Sequence, residues 1–462
     1  MPDNYKIFLA AAEKKAFDEQ HRKTIKFNIS RYDAAVPKGK MQYKNLELAK
    51  QRAASAKHRV INELDKYLIE FEAAFTARGG KIIWARDKEE ALTEIISVLK
   101  KSEARYVVKS KSMITEEIDL NEALEGEHIE SLETDLGEYI VQLAGEKPYH
   151  IITPVMHKSK EDVAKLFHEK FSLSPESTPE QITTFVRKIL RDKFTSADVG
   201  ITGANFLIAD IGAIALTENE GNGMMSMSFP KIQIAIAGVE KMIPSIKDLD
   251  NLWPLLSTHG TGQNITVYNS IITGPRQEDE TDGPLEMYLV LVDNKRSELM
   301  KLENQRRALS CIRCGACLNG CPIYKNIGGH AYGTVYSGPI GAVITPHMRG
   351  IAEFKHLSYA SSLCGKCTEV CPVKINLHMQ LLYNRRDFVK EGYVKRSEKT
   401  SMYFFRKALM SRWLMEKGNA KMKNYFVGKF FRKAWGPRRE MPVFQQKSFN
   451  RLWKEQRETN EK

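Results

Sequence analysis

Seven cysteines carry the most specific chemistry in this sequence. All of them fall between residues 311 and 371, in two short groups. A disulfide framework would scatter its cysteines and favour an even number, whereas closely and regularly spaced thiolates are typical of metal binding in a reducing compartment. The cysteines therefore predict a metal or iron–sulfur site and not a set of disulfides.

The first cysteine group is complete. Its segment CIRCGACLNGCP has the spacing C-x2-C-x2-C-x3-C and ends in proline. Its four cysteines are Cys311, Cys314, Cys317 and Cys321. Bacterial ferredoxins bind 4Fe-4S clusters with this run. A zinc knuckle is the alternative, but the Cys-Pro ending of both groups suits paired clusters and not a tetrahedral zinc site.

The second cysteine group lacks its first member, because Ser361 stands where that cysteine would be. In two-cluster ferredoxins, the fourth cysteine of each run binds the other cluster. This crossing predicts a first cluster held by Cys311, Cys314, Cys317 and Cys371. It predicts a second cluster held by Cys321, Cys364 and Cys367. The missing ligand then belongs to the second cluster alone.

Three arrangements fit a second cluster with three cysteines. The cluster could be a 3Fe-4S centre, or it could keep one iron open to a partner or substrate. It could also take an oxygen or imidazole ligand from Ser361, Ser362 or His356. General ligation rules favour a 4Fe-4S cluster with a weak or solvent fourth ligand and an electron-carrying role. The sequence does not choose among these arrangements.

The elements around the cysteines predict a mainly α-helical two-cluster ferredoxin module over residues 296–390. Residues 293–310 are predicted to be a helical connector into it. Between the cysteine groups, the glycine- and proline-rich segment IGGHAYGTVYSGPIGAVITP is predicted to be a loop. The following segment HMRGIAEFKHLSYASSL has apolar residues at helical spacing. Modules of this kind pass single electrons between protein partners.

Residues 76–295 predict an α/β domain. The segments GKIIWARD, RYVVKSKS, NFLIADIGAIALTENEGNG and KIQIAIAGV are predicted strands, and KEEALTEIISVLKKS is a predicted helix. Alternating strands and helices indicate a parallel sheet covered on both faces. Residues 1–75 predict an N-terminal helical region, and residues 391–462 predict a basic, aromatic-rich helical tail.

Several segments resemble the lactate-utilisation protein B family. They include VVKSKSMITEEIDLNEALE, ADVGITGANFLIADIGAIALTENEGN, YSGPIGAV and both cysteine groups, and they extend from about Val107 to Pro372. The resemblance implies the iron–sulfur subunit of a bacterial three-component system that oxidises L-lactate to pyruvate, with the other subunits as partners. It also implies an α/β domain similar to the sugar-isomerase and CoA-transferase type of fold. Seven cluster cysteines are a trait of that family.

The α/β domain offers four weak catalytic candidates. Glu218 and Glu220 lie in TENEGNG, and CoA transferases with a similar fold use a glutamate nucleophile near such a loop. The favoured alternative there is a hairpin turn at Asn222-Gly223. His150 and His157 are predicted at a strand end, where open sheets gather substrate-binding residues, although a lone histidine is more often structural. The catalytic residues stay unknown at this point.

No nucleotide-binding motif accompanies the cysteines. The sequence contains neither a G-x-G-x-x-G between a strand and a helix nor a P-loop. Oxidation of lactate removes two electrons, whereas a cluster normally takes one. The first hydride acceptor is therefore expected elsewhere, or as a cofactor that this sequence does not reveal, and the motifs predict no cofactor-binding residues beyond those of the clusters.

The tail carries the whole net charge of the protein. Residues 395–462 contain nineteen Lys and Arg against six Glu, a balance of +13, which equals the balance of the full chain. Aromatic residues interleave with these charges, which suits an anionic membrane surface or a groove on a partner. A helix packed on the protein's own cluster module is the alternative. Basic residues would also attract nucleic acid. Nucleic acid is not predicted as a partner, because a protein with two redox clusters is less suited to nucleic-acid binding.

The sequence predicts a cytoplasmic protein, with membrane association on the cytoplasmic side through residues 395–462. It has no run of eighteen apolar residues, and its first segment becomes charged too soon for a signal peptide. Two function classes remain. The first is an electron-transfer subunit between a lactate-oxidising partner and a membrane or quinone-linked acceptor. The second is an enzyme that binds a 2-hydroxy or 2-oxo acid at an open iron or in the α/β domain.

Overall fold

The computed structural model describes residues 3–436 and 439–460. The chain forms two compact units, one up to Phe388 and the other from Val389. The first unit contains the predicted segments 1–75 and 76–295 and almost all of the segment 296–390. Among the described residues, no helix combines the length and the apolar character that crossing a membrane requires.

Four helices precede the first strand. They are α1 (Asn4–Ala16), α2 (Glu19–Lys40), α3 (Leu46–Asn62) and α4 (Leu64–Thr76). Side chains of Asp18 and Asn45 accept hydrogen bonds from the first-turn backbone N–H groups of α2 and α3, which fixes where these helices begin. Ile25 and Ile29 are one turn apart and both buried, so α2 packs one apolar face inward.

Ten strands form two sheets in the part of the chain that the structure describes. The strands are β1 (Lys81–Ala85), β2 (Tyr106–Lys109), β3 (Glu130–Glu133), β4 (Val199–Gly203), β5 (Phe206–Ile208), β6 (Ala213–Glu218), β7 (Ile232–Gly238), β8 (Met242–Ile243), β9 (Tyr268–Ile272) and β10 (Glu286–Val292). The larger sheet has the order β1-β10-β7-β4-β2-β3, and all its pairs are parallel. The smaller one has the order β8-β5-β6-β9. The predicted parallel α/β sheet is confirmed.

Helices cover the larger sheet, which explains the continuous apolar runs of its central strands. The helices between strands are α5 (Lys88–Lys101), α6 (Met113–Glu117), α7 (Leu120–Gly126), α8 (Leu136–Leu143), α9 (Lys160–Phe171), α10 (Pro179–Ser196), α11 (Asn222–Ser228) and α12 (Leu249–Thr261). The predicted hairpin turn at Asn222-Gly223 is wrong. Gly221 adopts a left-handed φ of 74°, and α11 begins directly after it.

The ferredoxin module is built from short helices. They are α13 (Arg296–Met300), α14 (Ala316–Asn319), α15 (Tyr324–Ile327), α16 (Gly338–Arg349), α17 (Ile351–Tyr359), α18 (Lys366–Glu369) and α19 (Leu377–Lys390). The 3-10 helices of the first unit are Val239–Lys241, Ile246–Asp248, Gln305–Ser310 and His330–Tyr332. The predicted loop is wrong in its second half, because GPIGAVITPHMR forms α16. Pro339 lies in the first turn of α16. A backbone N–H at that position would have no acceptor within the helix, so proline costs no helical hydrogen bond there.

One apolar core joins the N-terminal helices, the smaller sheet and the ferredoxin module. Its buried members include Phe8, Ile25, Ile208, Leu252, Leu318 and Ile344. Because these side chains come from all three segments, the cysteine-bearing module has no separate core of its own. The first unit therefore places the cysteines at a fixed position against the α/β domain.

The second unit contains four helices in its described part. They are α20 (Arg396–Leu409), α21 (Arg412–Glu416), α22 (Ala420–Trp435) and α23 (Phe449–Asn460). No side chain of α20 is buried. Phe404 and Trp413 expose 66% and 67% of their surface. The predicted basic helical tail is confirmed, and its large apolar side chains face solvent.

Candidate functional site

The two cysteine runs share one backbone conformation. In the first run Arg313 and Gly315 have left-handed φ angles of 60° and 72°, and α14 follows directly. In the second run Leu363 and Gly365, at the equivalent positions, have φ angles of 55° and 80°, and α18 follows. The alignment of the incomplete run with the complete one therefore holds in three dimensions as well as in sequence.

Ser361 occupies the structural position of Cys311. In the first run, the backbone N–H of Arg313 donates to Cys311 Sγ at 3.4 Å. In the second run, the backbone N–H of Leu363 donates to Ser361 Oγ at 3.1 Å. Because each side chain makes the same contact two residues ahead, the Ser361 hydroxyl lies where the missing thiol would lie.

The structure brings the last cysteine of the second run to the first run. Four cysteines line one cavity, and they are Cys311, Cys314, Cys317 and Cys371. Cys371 Sγ accepts a hydrogen bond from the backbone N–H of Ile375 at 3.3 Å. Burial raises the pKa of Cys371 to about 11, so metal binding by this thiol would release a proton. This grouping is the set of four that crossing predicts for the first cluster.

The other three cysteines interact with one another. Cys364 lies close enough to Cys321 and Cys367 to help burial raise the pKa of each, and Cys321 likewise helps raise the pKa of Cys367. Cys321 and Cys367 are buried, whereas Cys364 is exposed. The first group is largely shielded, with Cys314, Cys317 and Cys371 buried. The two sites therefore differ in depth, and the second reaches the protein surface.

The remaining candidates for a fourth ligand have different surroundings. Ser362 is exposed. The ring of His356 is buried, with its centroid 5.2 Å from that of Phe8 and 6.3 Å from that of Phe354. Burial lowers the pKa of His356, which keeps the ring neutral. Of the three side chains, Ser361 is the one that the repeated backbone conformation places at a ligand position.

All seven cysteines are free thiols. Among the described residues, the one trio of His, Cys, Asp or Glu side chains whose ligand atoms all lie within 4.8 Å of one another is Glu146, His157 and His330, and it contains no cysteine.

Glu218 and Glu220 line a separate cavity of about 300 Å³ at the carboxyl ends of the sheet strands. Glu218 accepts hydrogen bonds from the backbone N–H groups of Gly223 and Met224 at 2.7 and 2.9 Å, so it caps the start of α11. Burial raises the pKa of Glu218. Burial and the nearby Asp135 raise the pKa of Glu220 to about 7. Glu220 is therefore the glutamate here that can exchange a proton near neutral pH.

The structure places the two histidine candidates in the segment between α8 and α9 and not at a strand end. His150 is 2% exposed, and its Nδ1 accepts hydrogen bonds from the backbone N–H groups of Ile152 and Thr153. His157 Nε2 lies 2.6 Å from Glu146 Oε2. Burial lowers the pKa of His150 to about 3 and that of His157 to about 4. Neither histidine lines the cavity that contains the two glutamates.

Sequence reasoning missed the basic residues of the cavity. They are Lys111, Lys241, Arg296 and Arg313. They come from four distant segments, so no local spacing could have grouped them. The one available signal was Glu240-Lys241, a charged pair that begins two residues after the buried strand β7.

A buried ion-pair network links this cavity to the cysteine loop. Arg296 donates to Glu117 through two bonds of 2.8 Å and to Glu240 at 2.5 Å. Arg313, two residues after Cys311, donates to Glu240 at 3.3 Å. Arg296 and neighbouring cations outweigh burial and hold the pKa of Glu240 at about 2. The network therefore fixes the first cysteine loop against the α/β domain.

Comparison with known proteins places the chain in a family. Three relatives named lactate utilization protein B, from Bacillus cereus (strain AH820), Bacillus thuringiensis (strain Al Hakam) and Bacillus anthracis (strain A0248), are each 43% identical to it over 429 residues. The matches cover 90% of this chain and 90% of each relative. The chain belongs to the lactate utilization protein B family.

The models of two domain families match parts of this lactate utilization protein B family member. The LUD domain matches residues 68–292, which include the whole parallel sheet. The 4Fe-4S dicluster domain matches residues 307–375, which include all seven cysteines. Iron–sulfur clusters are therefore the cofactors of the ferredoxin module. A crystal structure of a DUF162 family protein from Deinococcus radiodurans, 12% identical, matches 49% of this chain and 97% of its own length with a TM-score of 0.28.

Substitution of Arg296, the central cation of the buried ion-pair network, should strongly destabilise the folded protein. In Arg296→Met, the Glu117 and Glu240 carboxylates would stay buried without their shared partner, which costs about 3–5 kcal/mol of unfolding free energy. Anaerobic urea denaturation followed by circular dichroism would measure the loss. Arg86→Met is the control, because the exposed Arg86–Glu90 pair should contribute little. Equal stability of Arg296→Met and the wild type would show that the network does not hold the loop.

Proposed function

We propose that this chain is the iron–sulfur electron-transfer subunit of a system that oxidises L-lactate to pyruvate. It would receive electrons from a partner subunit and deliver them toward a membrane or quinone-linked acceptor. The observation that carries this proposal is the pair of cysteine sites at different depths, one buried beside the α/β domain and one reaching the surface at Cys364. The name of its relatives supports the link to lactate.

The proposed ligands of the first cluster are Cys311, Cys314, Cys317 and Cys371. Those of the second are Cys321, Cys364 and Cys367, with Ser361 beside the remaining position. When bound, such clusters accept and release single electrons. The chain contributes the apolar shell: Ile312, Ile340, Val373, Ile375 and Leu377 line the first site with the cysteines and exclude water from it.

The tail is the proposed contact with an anionic membrane surface. Met422, Phe426 and Phe430 recur every four residues along α22 and are all exposed, and the two phenylalanine rings stack with centroids 5.9 Å apart. Lys421, Lys423 and Lys429 are interspersed with them. An exposed apolar stripe with flanking lysines is the pattern of helices that lie in a membrane interface. This would bring the protein to a membrane-bound electron acceptor.

An anaerobic reduction experiment tests the proposed function. L-lactate added to the purified oxidised chain alone should leave its visible absorbance unchanged, and addition of the partner subunits should bleach it as the clusters are reduced. Bleaching by the chain alone would instead support the second function class, an enzyme that oxidises the acid directly. The cavity between the glutamates and the cysteine loop is the observation that favours this second class.

Restoring the fourth cysteine should change the second cluster only. In Ser361→Cys, an added thiolate would hold the labile iron and, through its negative charge, lower the reduction potential of that cluster. On mild oxidation the wild type should show the EPR signal of a 3Fe-4S centre, and the variant should not. Ser362→Cys is the control, because Ser362 is exposed and follows the ligand position. If Ser361→Cys altered neither the signal nor the potential, residue 361 would not face the cluster.

A further inference from the structure

Two histidines and one glutamate converge where the α/β domain contacts the ferredoxin module. Glu146 and His157 lie in the segment between α8 and α9, and His330 begins the 3-10 helix His330–Tyr332. Each of these half-buried side chains offers one ligand atom, and the three atoms all lie within 4.8 Å of one another. Ligands of a four-coordinate ion with bonds of about 2.1 Å lie roughly 3.4 Å apart. Small side-chain movements would therefore close this His–Glu trio around a metal ion.

Neighbouring groups occupy the atoms of the trio that a metal ion would not need. Lys158 Nζ donates to Glu146 Oε1 at 2.7 Å, and Glu146 Oε2 lies 2.6 Å from His157 Nε2. His330 Nε2 lies 2.6 Å from the backbone oxygen of Lys147. Because a carbonyl only accepts, Nε2 of His330 carries the hydrogen and Nδ1 keeps the lone pair. Metal-binding histidines donate their second N–H to a carbonyl or carboxylate in this way.

Tyr149 fixes the orientation of both imidazole rings. Its ring stacks on that of His157 with centroids 4.7 Å apart and meets that of His330 edge-on at 4.9 Å. The Tyr149 hydroxyl is held in turn by His21 Nε2 at 2.7 Å. Burial lowers the pKa of His157 to about 4 and also lowers that of His330. Both rings are therefore neutral near pH 7, which is the form that binds metals.

The donor set selects the class of ion. Two imidazoles and one carboxylate are the protein ligands of zinc sites with an open position and of non-haem Fe²⁺ sites. Mg²⁺ and Ca²⁺ bind oxygen ligands instead. Glu146 and His330 also line a groove of about 760 Å³. Water or a small ligand can therefore reach an ion held by the trio and complete its coordination.

We propose that Glu146, His157 and His330 bind one divalent transition-metal ion, Zn²⁺ or Fe²⁺, separate from the iron–sulfur clusters. The ion would link the segment between α8 and α9 to the ferredoxin module, because two ligands come from the first and one from the second. An ion that binds only the folded chain also raises its stability. The proposal does not depend on the electron relay, since no cysteine belongs to the trio.

Anaerobic isothermal titration calorimetry on the full, cluster-loaded chain tests this site. The chain is first dialysed against a chelator, and its visible spectrum checks that the clusters are intact. Zn²⁺ and Fe²⁺ are titrated in separate arms, and Mg²⁺ is the reference ion. We expect one ion per chain, bound at least roughly a hundredfold more tightly than Mg²⁺, because imidazole is a poor ligand for Mg²⁺. The tighter arm identifies the ion, and the same ion should raise the unfolding temperature.

Two variants assign the binding to the trio. His330→Gln keeps a donor for the Lys147 carbonyl, and Glu146→Gln keeps the shape of the side chain, so both are expected to fold. Each should weaken binding at least roughly tenfold and abolish the rise in unfolding temperature, because each removes one of three ligands. His128→Asn is the control, since His128 is an exposed histidine outside the trio. Asparagine also tolerates the left-handed φ of 59° at this position.

Three results would overturn the proposal. They are no saturable binding of either ion to the wild type, unchanged binding in His330→Gln and Glu146→Gln, and equal weakening in His128→Asn. In each case the trio would be a hydrogen-bond network completed by Lys158 alone. None of these results bears on the reduction of the clusters by partner subunits, so the two proposals fail separately.

Discussion

Cys371→Ser is expected to destroy the first cluster and to spare the second, although Cys371 belongs to the second cysteine run. The reason is that Cys371 lines the cavity of Cys311, Cys314 and Cys317. Cys321→Ser is the reciprocal variant and should remove the second cluster while the first remains. Each variant should lose roughly half of the iron, because each cluster holds up to four irons.

EPR of the reduced variants distinguishes this crossed arrangement from a local one. Each variant should retain one signal, and the retained signals should differ. The serine keeps the size of the side chain approximately, so the effect should come from lost ligation and not from packing. If Cys371→Ser disturbed the cluster of Cys364 and Cys367, each run would bind its own cluster and the crossed assignment would be wrong.

Removal of residues 395–462 is expected to abolish membrane binding and to leave both clusters in place. Every cysteine lies in the first compact unit, which ends at Phe388. The removed segment carries the whole net charge of +13 and its exposed aromatic side chains. Each basic residue near an anionic surface contributes about 1 kcal/mol, so the fraction bound should fall to background.

Cosedimentation with vesicles measures this effect. The full chain should bind vesicles that contain phosphatidylglycerol, bind neutral phosphatidylcholine vesicles much less, and dissociate as ionic strength rises. Phe404→Ser with Phe405→Ser in the full chain is the second test, because it removes exposed apolar area and keeps every charge. Binding of the truncated chain equal to that of the full chain would show that the tail has another partner.

Local patterns predicted the type and the order of most elements. Alternation of strands and helices predicted the parallel sheet, and the crossing rule of two-cluster ferredoxins predicted that Cys371 joins the first cysteine run, whose cavity it lines. The segment GPIGAVITP was different, because its glycines and prolines indicated a loop. In α16, Gly341 is required by packing: a Cβ there would lie 1.8 Å from the carbonyl oxygen of Tyr336. The glycine that suggested a loop therefore allows the helix to pack closely against the chain that leads into it.

The cavity could not be predicted, because its residues meet only after folding. Lys241 follows β7, Arg296 lies in α13, and Arg313 lies in the cysteine loop. Glu218 and Glu220 were predicted as catalytic candidates, but they have different roles in the structure. Glu218 caps α11, and Glu220 lines the cavity. Sequence located the two glutamates of the cavity, and only the fold located its four basic residues.

The most direct test of the account is the iron and acid-labile sulfide content of anaerobically purified chain, measured together with low-temperature EPR. Two clusters held by seven cysteines predict roughly seven to eight irons, a similar amount of sulfide and two reducible centres per chain. The second centre should convert to a 3Fe-4S signal on mild oxidation while the first stays intact. Stoichiometric zinc without labile sulfide, or a single centre with roughly four irons, would contradict the account.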